Sequence, residues 1–132
     1  MKYVEIRDLK VLEDNRGAFF EVLRKGHIDG GDFGQIYVTT AYPGQVKGNH
    51  YHKRKVEWFC VIKGEGELVL KDKMTGEQET IKMGEGNMVV VKIPTNVLHA
   101  IKNIGENILY LLAYISEPYN EEDSDTYKEE LI

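Results

Sequence analysis

The chain has 132 residues, of which 42% are hydrophobic and 30% charged, and its formal net charge at pH 7 is −5. This size and composition are those of one globular domain that can bury its own core. The single cysteine, Cys60, excludes an intrachain disulfide framework. The charges form no basic stripe for nucleic acid, and no apolar run has the length of a membrane span or the form of a signal peptide. We therefore expect one cytoplasmic domain over residues 1–132, with an acidic tail at 117–132 and neither nucleic acid nor membrane as a partner.

Extended segments rich in β-branched and aromatic residues follow one another along the chain. They predict strands at 3–6, 18–23, 35–40, 56–62, 67–70, 88–91 and 108–115. Turns rich in glycine separate these segments, and only 120–131 has the composition of a short helix. Short strands joined by regular turns predict an all-β fold, either a sandwich or a barrel.

Two histidines and a glutamate follow Gly44 at a fixed spacing, which reads G-x5-H-x-H-x4-E-x6-G and ends at Gly64. His50 and His52 stand two residues apart, so in a strand their side chains project from the same face. Glu57 begins the next apolar strand and can return to the same pocket. Two imidazoles and a carboxylate form a donor set for a divalent transition metal.

A second motif, P-x-N-x2-H-x3-N, begins at Pro94 and offers His99 as a fourth ligand from a neighbouring strand. Within this motif, Asn96 tolerates the left-handed conformation that a glycine would adopt. Together the two motifs resemble those of the cupin superfamily, which implies a single-domain cupin fold, the double-stranded β-helix or jelly-roll barrel. Two alternatives stay open: the paired histidines are exposed polar residues, or they act as bases in a barrel without a metal.

A third motif lies near the N-terminus, where residues 14–21 read D-x-R-G-x-F-x-E. Without a ligand it is a turn leading into a strand, but the planar fork of Arg16 suits a phosphate. The motif resembles the N-terminal signature of the dTDP-4-keto-6-deoxyhexose 3,5-epimerases. That resemblance extends to a strand opened by Gln35 and to Lys47, which precedes the histidine pair where those enzymes have an arginine. It implies that Arg16, Glu21 and Gln35 bind the substrate, with Arg16 and Lys47 on its diphosphate.

A narrower resemblance, roughly from residue 14 to 127, is to the C-terminal cupin domain of the capsular-polysaccharide enzyme CapF. The residues that carry it are K-G-N-H-Y-H at 47–52, I-P-T-N-x-x-H-x-I-x-N-x-G at 93–105, P-Y-N at 118–120 and D-T-Y at 125–127. It implies a zinc ion and C3 epimerisation of a UDP-linked 4-keto-6-deoxyhexose, here by a stand-alone module without the reductase domain of that enzyme. Because an antiparallel barrel leaves strand edges that need cover, we also expect a homodimer.

Inversion at C3 or C5 of a 4-keto sugar passes through an enolate, which needs a base, a group that stabilises the enolate oxygen, and an acid on the opposite face. His50 is the predicted base, because a neutral imidazole has a suitable pKa. Lys47 or a metal is expected to stabilise the enolate oxygen. Tyr119 is the predicted acid, with Tyr114 as an alternative and Tyr37 as the least favoured one. A metal-bound His50 cannot use the same nitrogen as a base, so the two roles of this residue conflict.

The predicted activity is therefore epimerisation of a nucleotide sugar at C3, C5 or both, in polysaccharide or deoxysugar biosynthesis, with zinc or another divalent ion bound by His50, His52, Glu57 and His99. A sugar 3,4-ketoisomerase would use the same fold and a similar enolate. A cupin that only binds a sugar or a metal, and an iron-dependent dioxygenase with the same four ligands, also stay open as interpretations. The sequence leaves open which metal is bound and whether the nucleotide is UDP or dTDP.

Overall fold

The structure, a computed structural model, describes residues 4–28 and 31–132. These residues form twelve strands and no helix, and they contain no helical segment that could cross a membrane. The strands are β1 Glu5–Asp8, β2 Leu12–Asp14, β3 Gly17–Phe19, β4 Gln35–Ala41, β5 Val46–Tyr51, β6 Glu57–Lys63, β7 Glu65–Asp72, β8 Gln78–Gly84, β9 Val89–Ile93, β10 Val97–Asn103, β11 Leu109–Ile115 and β12 Tyr127–Lys128. The strand predicted at 3–6 begins outside the described residues. The predicted all-β fold is confirmed.

Most of the strands form two five-stranded antiparallel sheets, ordered β1-β9-β6-β11-β4 and β12-β5-β10-β7-β8. From β4 to β7 the chain changes sheet at every step, and β9, β10 and β11 alternate in the same way. Consecutive strands therefore face each other across the interior, which is the jelly-roll arrangement. β2 and β3 form a separate hairpin outside both sheets.

The core lies between the sheets, because inward-facing positions alternate with outward-facing ones along a strand. β4 shows this alternation along its length, whereas the first five residues of β6 are all buried. β6 is the central strand of its sheet, and its outer face is covered by Phe20, Val22 and Leu23. Cys60 lies under this cover, and burial raises the pKa of its thiol to about 11. The thiol therefore stays protonated at neutral pH.

Two predictions of local structure were wrong, and the predicted strand ranges left out β2, β5, β8, β10 and β12. The tail at 120–131 forms no helix, since Tyr127–Lys128 is strand β12 and pairs with β5. The strand expected at 18–23 ends at Phe19, because the apolar residues that follow pack across the outer face of β6. Strand β8 was not predicted, because polar residues occupy its exposed positions.

A β-bulge in β5 turns two predicted site residues toward the interior. His50 lies opposite His99 of β10, and Lys47 lies opposite Ile101, which is buried in the core. His50 and Lys47 are three positions apart along β5, whereas their partners on β10 are only two positions apart. Asn49 is therefore an extra residue in β5. Side chains directly opposite each other share a face of the sheet. The extra residue therefore lets both side chains face inward, which strict alternation would forbid.

Backbone conformations that favour glycine occur at this bulge and at a nearby turn. Gly48 has a φ of +100°, and a Cβ built on it would lie 2.9 Å from the carbonyl oxygen of His99. Asn96 has a φ of 60°. This value confirms the prediction that asparagine adopts the left-handed conformation in the second motif.

We predict that Gly48→Ala lowers the free energy of unfolding more than Gly44→Ala does. Both glycines have positive φ, and a non-glycine residue in that region costs roughly 1–2 kcal/mol. A Cβ on Gly44 would meet no atom within 4 Å, whereas one on Gly48 would meet the backbone of β10. Urea titrations of the two variants measure the difference. Equal losses would show that β10 moves aside without cost.

Candidate metal centre

Four side chains meet in the interior of the barrel and are called here the His/Glu cluster: His50, His52, Glu57 and His99. Their donor atoms all lie within 4.8 Å of one another. β5 carries His50 and ends one residue before His52, β6 begins with Glu57, and β10 carries His99. His50 is half-buried and the other three are buried. The structure therefore brings together all four residues that the two motifs marked.

His52 meets an acceptor at each ring nitrogen. Its Nε2 lies 2.6 Å from Oε1 of Glu57, and its Nδ1 lies 2.7 Å from the main-chain oxygen of Asp125. Burial lowers the pKa of His52, but the hydrogen bond to Glu57 and the charge of that carboxylate outweigh burial, so the pKa lies above the ordinary histidine value. The ring is thus fixed in orientation by one charged and one neutral acceptor.

Glu57 is only 1% exposed, and its two carboxylate oxygens have different partners. Oε1 faces His52 and lies 3.3 Å from Nε2 of His99, while Oε2 accepts a hydrogen bond of 2.7 Å from the hydroxyl of Tyr37. Burial raises the pKa of Glu57, but the two imidazoles outweigh burial and hold the pKa well below its usual range. Burial and the nearby carboxylate raise the pKa of Tyr37. The cluster therefore holds an ionised carboxylate beside a protonated phenol.

His99 provides the observation that tests whether an ion fits this cluster. Its Nδ1 lies 2.9 Å from the carbonyl oxygen of Val97, which fixes the ring. Its Nε2 is buried and lies 3.3 Å from Oε1 of Glu57, but it makes no hydrogen bond of acceptable geometry among the described residues. Buried polar atoms without a partner are rare in proteins. An unpartnered imidazole nitrogen beside a carboxylate and two further imidazoles fits a divalent transition metal.

His50 is the member of the His/Glu cluster that lines an open cavity of about 390 Å³. Lys47, Tyr37 and Phe59 line the same cavity. Burial, together with the nearby His99, lowers the pKa of His50 to about 4. The imidazole is therefore neutral at neutral pH. One cavity thus contains a neutral base, a cation and a phenol.

Four residues predicted to bind substrate or to transfer a proton do not line this cavity. Arg16 lies in the exposed turn between β2 and β3, where it pairs with Asp14 at 2.6 Å. Glu21 is exposed and pairs with a neighbouring arginine. The side-chain oxygen of Gln35 accepts a hydrogen bond from the backbone N–H of Tyr119, whose side chain is 63% exposed. None of these four residues therefore contributes to the lining of the cavity in this chain.

Two residues contact the cluster although the sequence analysis did not select them. Tyr37 is the least favoured of three candidate tyrosines, yet alternation along β4 places it on the same face as Gln35 and Thr39. Asp125 belongs to the D-T-Y run that carries part of the resemblance to CapF, but no spacing relates it to the histidine motifs. The alternation along β4 could have indicated from sequence that Tyr37 faces the site. The contact between Asp125 and His52 is evident only once the tail has folded.

Proteins of polysaccharide biosynthesis are similar to the chain in sequence. It is 31% identical over 127 residues to the spore coat polysaccharide biosynthesis protein SpsL of Bacillus subtilis, covering 92% of this chain and 84% of that protein. It is 33% identical over 129 residues to the probable low-salt glycan biosynthesis epimerase of Haloferax volcanii, covering 92% and 83%. It is 34% identical over 121 residues to the UDP-2-acetamido-2,6-beta-L-arabino-hexul-4-ose reductase of Pseudomonas aeruginosa, covering 91% of this chain but spanning only 31% of the reductase.

Solved structures of similar fold include two sugar-related proteins. The capsular polysaccharide assembling protein CapF from Staphylococcus aureus superposes with a TM-score of 0.72 at 31% identity, over 93% of this chain and 34% of that chain. A dTDP sugar isomerase from Desulfovibrio desulfuricans G20 superposes with a TM-score of 0.88 at 19% identity, over 98% of this chain and 85% of that chain. These likenesses confirm the jelly-roll fold and the predicted resemblance to CapF.

The family is shown by a match along most of the chain. Residues 12–127 match the family of the polysaccharide biosynthesis C-terminal domain. That range contains every residue of the His/Glu cluster and every residue that lines the adjoining cavity. The chain therefore belongs to the polysaccharide biosynthesis C-terminal domain family.

Proposed function

We propose that the chain epimerises a nucleotide-linked 4-keto-6-deoxyhexose at C3, C5 or both, through an enolate, in polysaccharide biosynthesis. The observation that carries the proposal is the cavity in which neutral His50 and cationic Lys47 lie beside the His/Glu cluster. Relatives support it, since one is named a probable glycan biosynthesis epimerase and another a reductase of a UDP-linked hexul-4-ose.

A divalent metal ion, with zinc as the first choice, is part of this proposal. His52, Glu57 and His99 are the buried donors that would hold the ion, and His50 completes the set of four donors within 4.8 Å. When bound, such an ion supplies a positive charge that polarises an adjacent oxygen. The Nε2 of His99 supports the proposal, because a bound ion would satisfy a buried nitrogen that makes no hydrogen bond among the described residues.

The greater exposure of the His50 side chain indicates a role different from that of the other three donors. His50 is the half-buried member of the cluster and borders the cavity, so we assign it to the reacting carbon as the base. Its pKa of about 4 keeps the imidazole free of a proton at neutral pH, which a base requires. Lys47 faces the same cavity and would stabilise the negative charge that develops on the enolate oxygen. The other three donors then hold the ion without His50.

Tyr37 replaces Tyr119 as our candidate for the opposite-face acid. Tyr37 lines the cavity, whereas the side chain of Tyr119 is exposed elsewhere. At neutral pH the phenol of Tyr37 carries the proton that a donor must supply. Its hydrogen bond to Glu57 also fixes the direction of its hydroxyl.

A homodimer is the proposed assembly. Leu12 and Phe19 lie opposite each other on the hairpin outside both sheets, with 53% and 65% exposure. Ile36 and Val38 lie on the edge strand β4 with 56% and 55% exposure. Exposed apolar patches and free strand edges are features that a partner chain covers. Because Arg16 and Glu21 do not reach the cavity within one subunit, their proposed contacts with the diphosphate and the sugar hydroxyls depend on the assembly.

We predict that zinc binds the wild-type protein near one ion per chain and that affinity falls as the pH decreases. The proton that competes first is the one on His52, because its pKa is raised whereas that of His50 is about 4. A ligand must lose its proton to bind. As the pH is lowered, the fall in zinc affinity therefore begins at a pH above about 6.5, the ordinary histidine value. Competition with a chelating dye between about pH 5 and 8 measures this fall.

Variants of the same protein provide the control for zinc binding. His52→Ala removes a buried donor and lowers the zinc content well below one ion per chain, whereas His27→Ala, outside the cluster, leaves it unchanged. A wild-type protein that takes up no zinc or other divalent transition metal at neutral pH would contradict the ligand assignment.

We predict that in deuterated buffer the wild-type protein introduces deuterium at C3 or C5 of UDP- or dTDP-4-keto-6-deoxyhexoses while the 4-ketone is retained. His50→Asn lowers this exchange by a factor on the order of 10²–10⁴, as expected for loss of a general base. The variant keeps its zinc, because three buried donors remain. NMR of the sugar measures the exchange, and metal analysis measures the zinc.

The tyrosines provide a matched pair for the same assay. Tyr37→Phe lowers the exchange rate, whereas Tyr119→Phe leaves it unchanged, because only the first lines the cavity. The reverse order would restore Tyr119 as the acid. A 3-keto product would identify a ketoisomerase, and simultaneous loss of zinc and exchange in His50→Asn would place His50 among the essential ligands.

We predict that Phe19→Asp and Val38→Asp weaken dimerisation, because each places a charge on an exposed apolar surface that a partner would bury. Met74→Asp is the control, since Met74 is 81% exposed in the turn between β7 and β8. Sedimentation equilibrium measures the association. A wild-type mass equal to that of a single 15.2 kDa chain at micromolar concentration would contradict the dimer.

A further inference from the structure

Asp125 is an unusual member of the acidic tail because it is buried and makes four polar contacts. It is 7% exposed and has a φ of 49°, in the left-handed region. Its carboxylate accepts hydrogen bonds from three successive backbone N–H groups, those of Lys53, Arg54 and Lys55, at 3.1, 2.9 and 2.9 Å. Its main-chain oxygen is the acceptor that faces Nδ1 of His52 at 2.7 Å.

The three N–H groups belong to the turn that joins His52 to Glu57. This turn decides how the chain leaves β5 and where β6 begins. Residues 53–55 would otherwise expose three successive backbone donors to be satisfied by water. One buried carboxylate instead holds all three, so it restrains the spacing between the two side chains that meet at 2.6 Å.

The main-chain oxygen of Asp125 acts on the imidazole itself. A carbonyl accepts a hydrogen bond only, so its position at 2.7 Å places a proton on Nδ1 of His52. Nε2 is then the nitrogen that faces Glu57 and the rest of the cluster. A second partner of this kind fixes both the tautomer and the orientation of a ligating histidine.

We propose that Asp125 is a positioning residue of the His/Glu cluster, whose carboxylate fixes the turn between His52 and Glu57 and whose carbonyl fixes the His52 ring. This inference rests on the proposed metal site for its effect on metal affinity, but not for the contacts themselves. It assigns part of the acidic tail to the site, although Asp125 follows His52 by 73 positions in the sequence.

Anchoring of the tail alone does not account for these contacts, because other contacts anchor it. The side chain of Asn49 hydrogen-bonds the backbone of Leu131 and Ile132. The ring of Tyr127 stacks on that of Tyr51, with centroids 5.4 Å apart. Loss of the Asp125 carboxylate therefore leaves the last residues attached while it releases the turn at 53–55.

The experiment compares Asp125→Asn and Asp125→Gly with Asp123→Asn in the full chain. The first keeps the shape of the side chain, but its amide cannot accept three N–H groups with one oxygen. The second keeps the positive φ without strain and removes the carboxylate. Asp123 lies two residues earlier in the tail, where its carboxylate forms an exposed ion pair with Arg54, so it is the matched control.

Both Asp125 variants should bind zinc roughly 10–100-fold more weakly than wild type, as expected when an outer partner of a metal ligand is lost. Their cobalt-loaded forms should show altered visible absorption, which reports the geometry of the ligands. The Nδ1–H of His52, assigned in the NMR spectrum of the metal-free protein with a His52→Gln variant, should exchange faster with solvent. Asp123→Asn should match wild type in all three measurements, and thermal unfolding of each metal-free variant shows whether it is folded.

Wild-type zinc affinity and cobalt absorption in either folded Asp125 variant would overturn the inference. Absence of a protected Nδ1–H on His52 in the wild type, or its unchanged protection in Asp125→Asn, would overturn it as well. A wild-type protein that binds no metal would instead overturn the proposed metal site. In that case the NMR measurement still decides whether Asp125 positions the ring.

Discussion

The buried charge of Glu57 constrains much of the barrel interior. Its carboxylate is 1% exposed, and removing such a group from water costs several kcal/mol unless charges and hydrogen bonds compensate. His52 supplies one partner and the hydroxyl of Tyr37 supplies the other. Loss of one partner of a buried ion pair typically costs about 3–5 kcal/mol. The register of the strands that carry these side chains is therefore coupled to the chemistry of the cluster.

Glu57 also connects the two sheets of the barrel. Tyr37 and Glu57 belong to β4 and β6 of one sheet, whereas His50 and His99 belong to β5 and β10 of the other. Glu57 lies 3.3 Å from His99 of the opposite sheet and 2.6 Å from His52, which follows β5, whereas its hydrogen bond to Tyr37 stays within its own sheet. The polar cluster therefore specifies the relative position of the sheets in a way that the surrounding aliphatic side chains alone would not.

Local spacing was sufficient to predict the cluster but not its outer partners. His50 and His52 are two residues apart, and the turn that leads to Glu57 is short, so covalent geometry brings them to one pocket. The contact between His52 and Asp125 joins residues 73 positions apart and depends on how the tail folds back. The resemblance to CapF marked the D-T-Y run at 125–127, but nothing in that run indicates that Asp125 is buried or that it contacts His52. The tail residues 120–131 have a composition compatible with a helix, but β5 offers an unpaired edge, and backbone pairing with that edge overrides a weak local preference. The left-handed conformation of Asn96 was predictable because Asn96 stands where the cupin motif prefers glycine and because asparagine tolerates a positive φ.

Unequal burial gives the two histidines of the H-x-H motif opposite properties. His52 is buried against the Glu57 carboxylate, which raises its pKa despite burial, whereas His50 borders the cavity with its pKa lowered to about 4 by burial and His99. Neighbouring groups whose pKa values differ strongly are suited to different roles. Here His52 is suited to binding an ion together with Glu57, and His50 is suited to accepting a proton. The bulge at Asn49 is what turns both Lys47 and His50 toward the cavity. Without that extra residue, strict alternation would direct one of them outward, and the proposed base would lose the cation beside it. The bulge is therefore as necessary to the proposed chemistry as the histidines themselves.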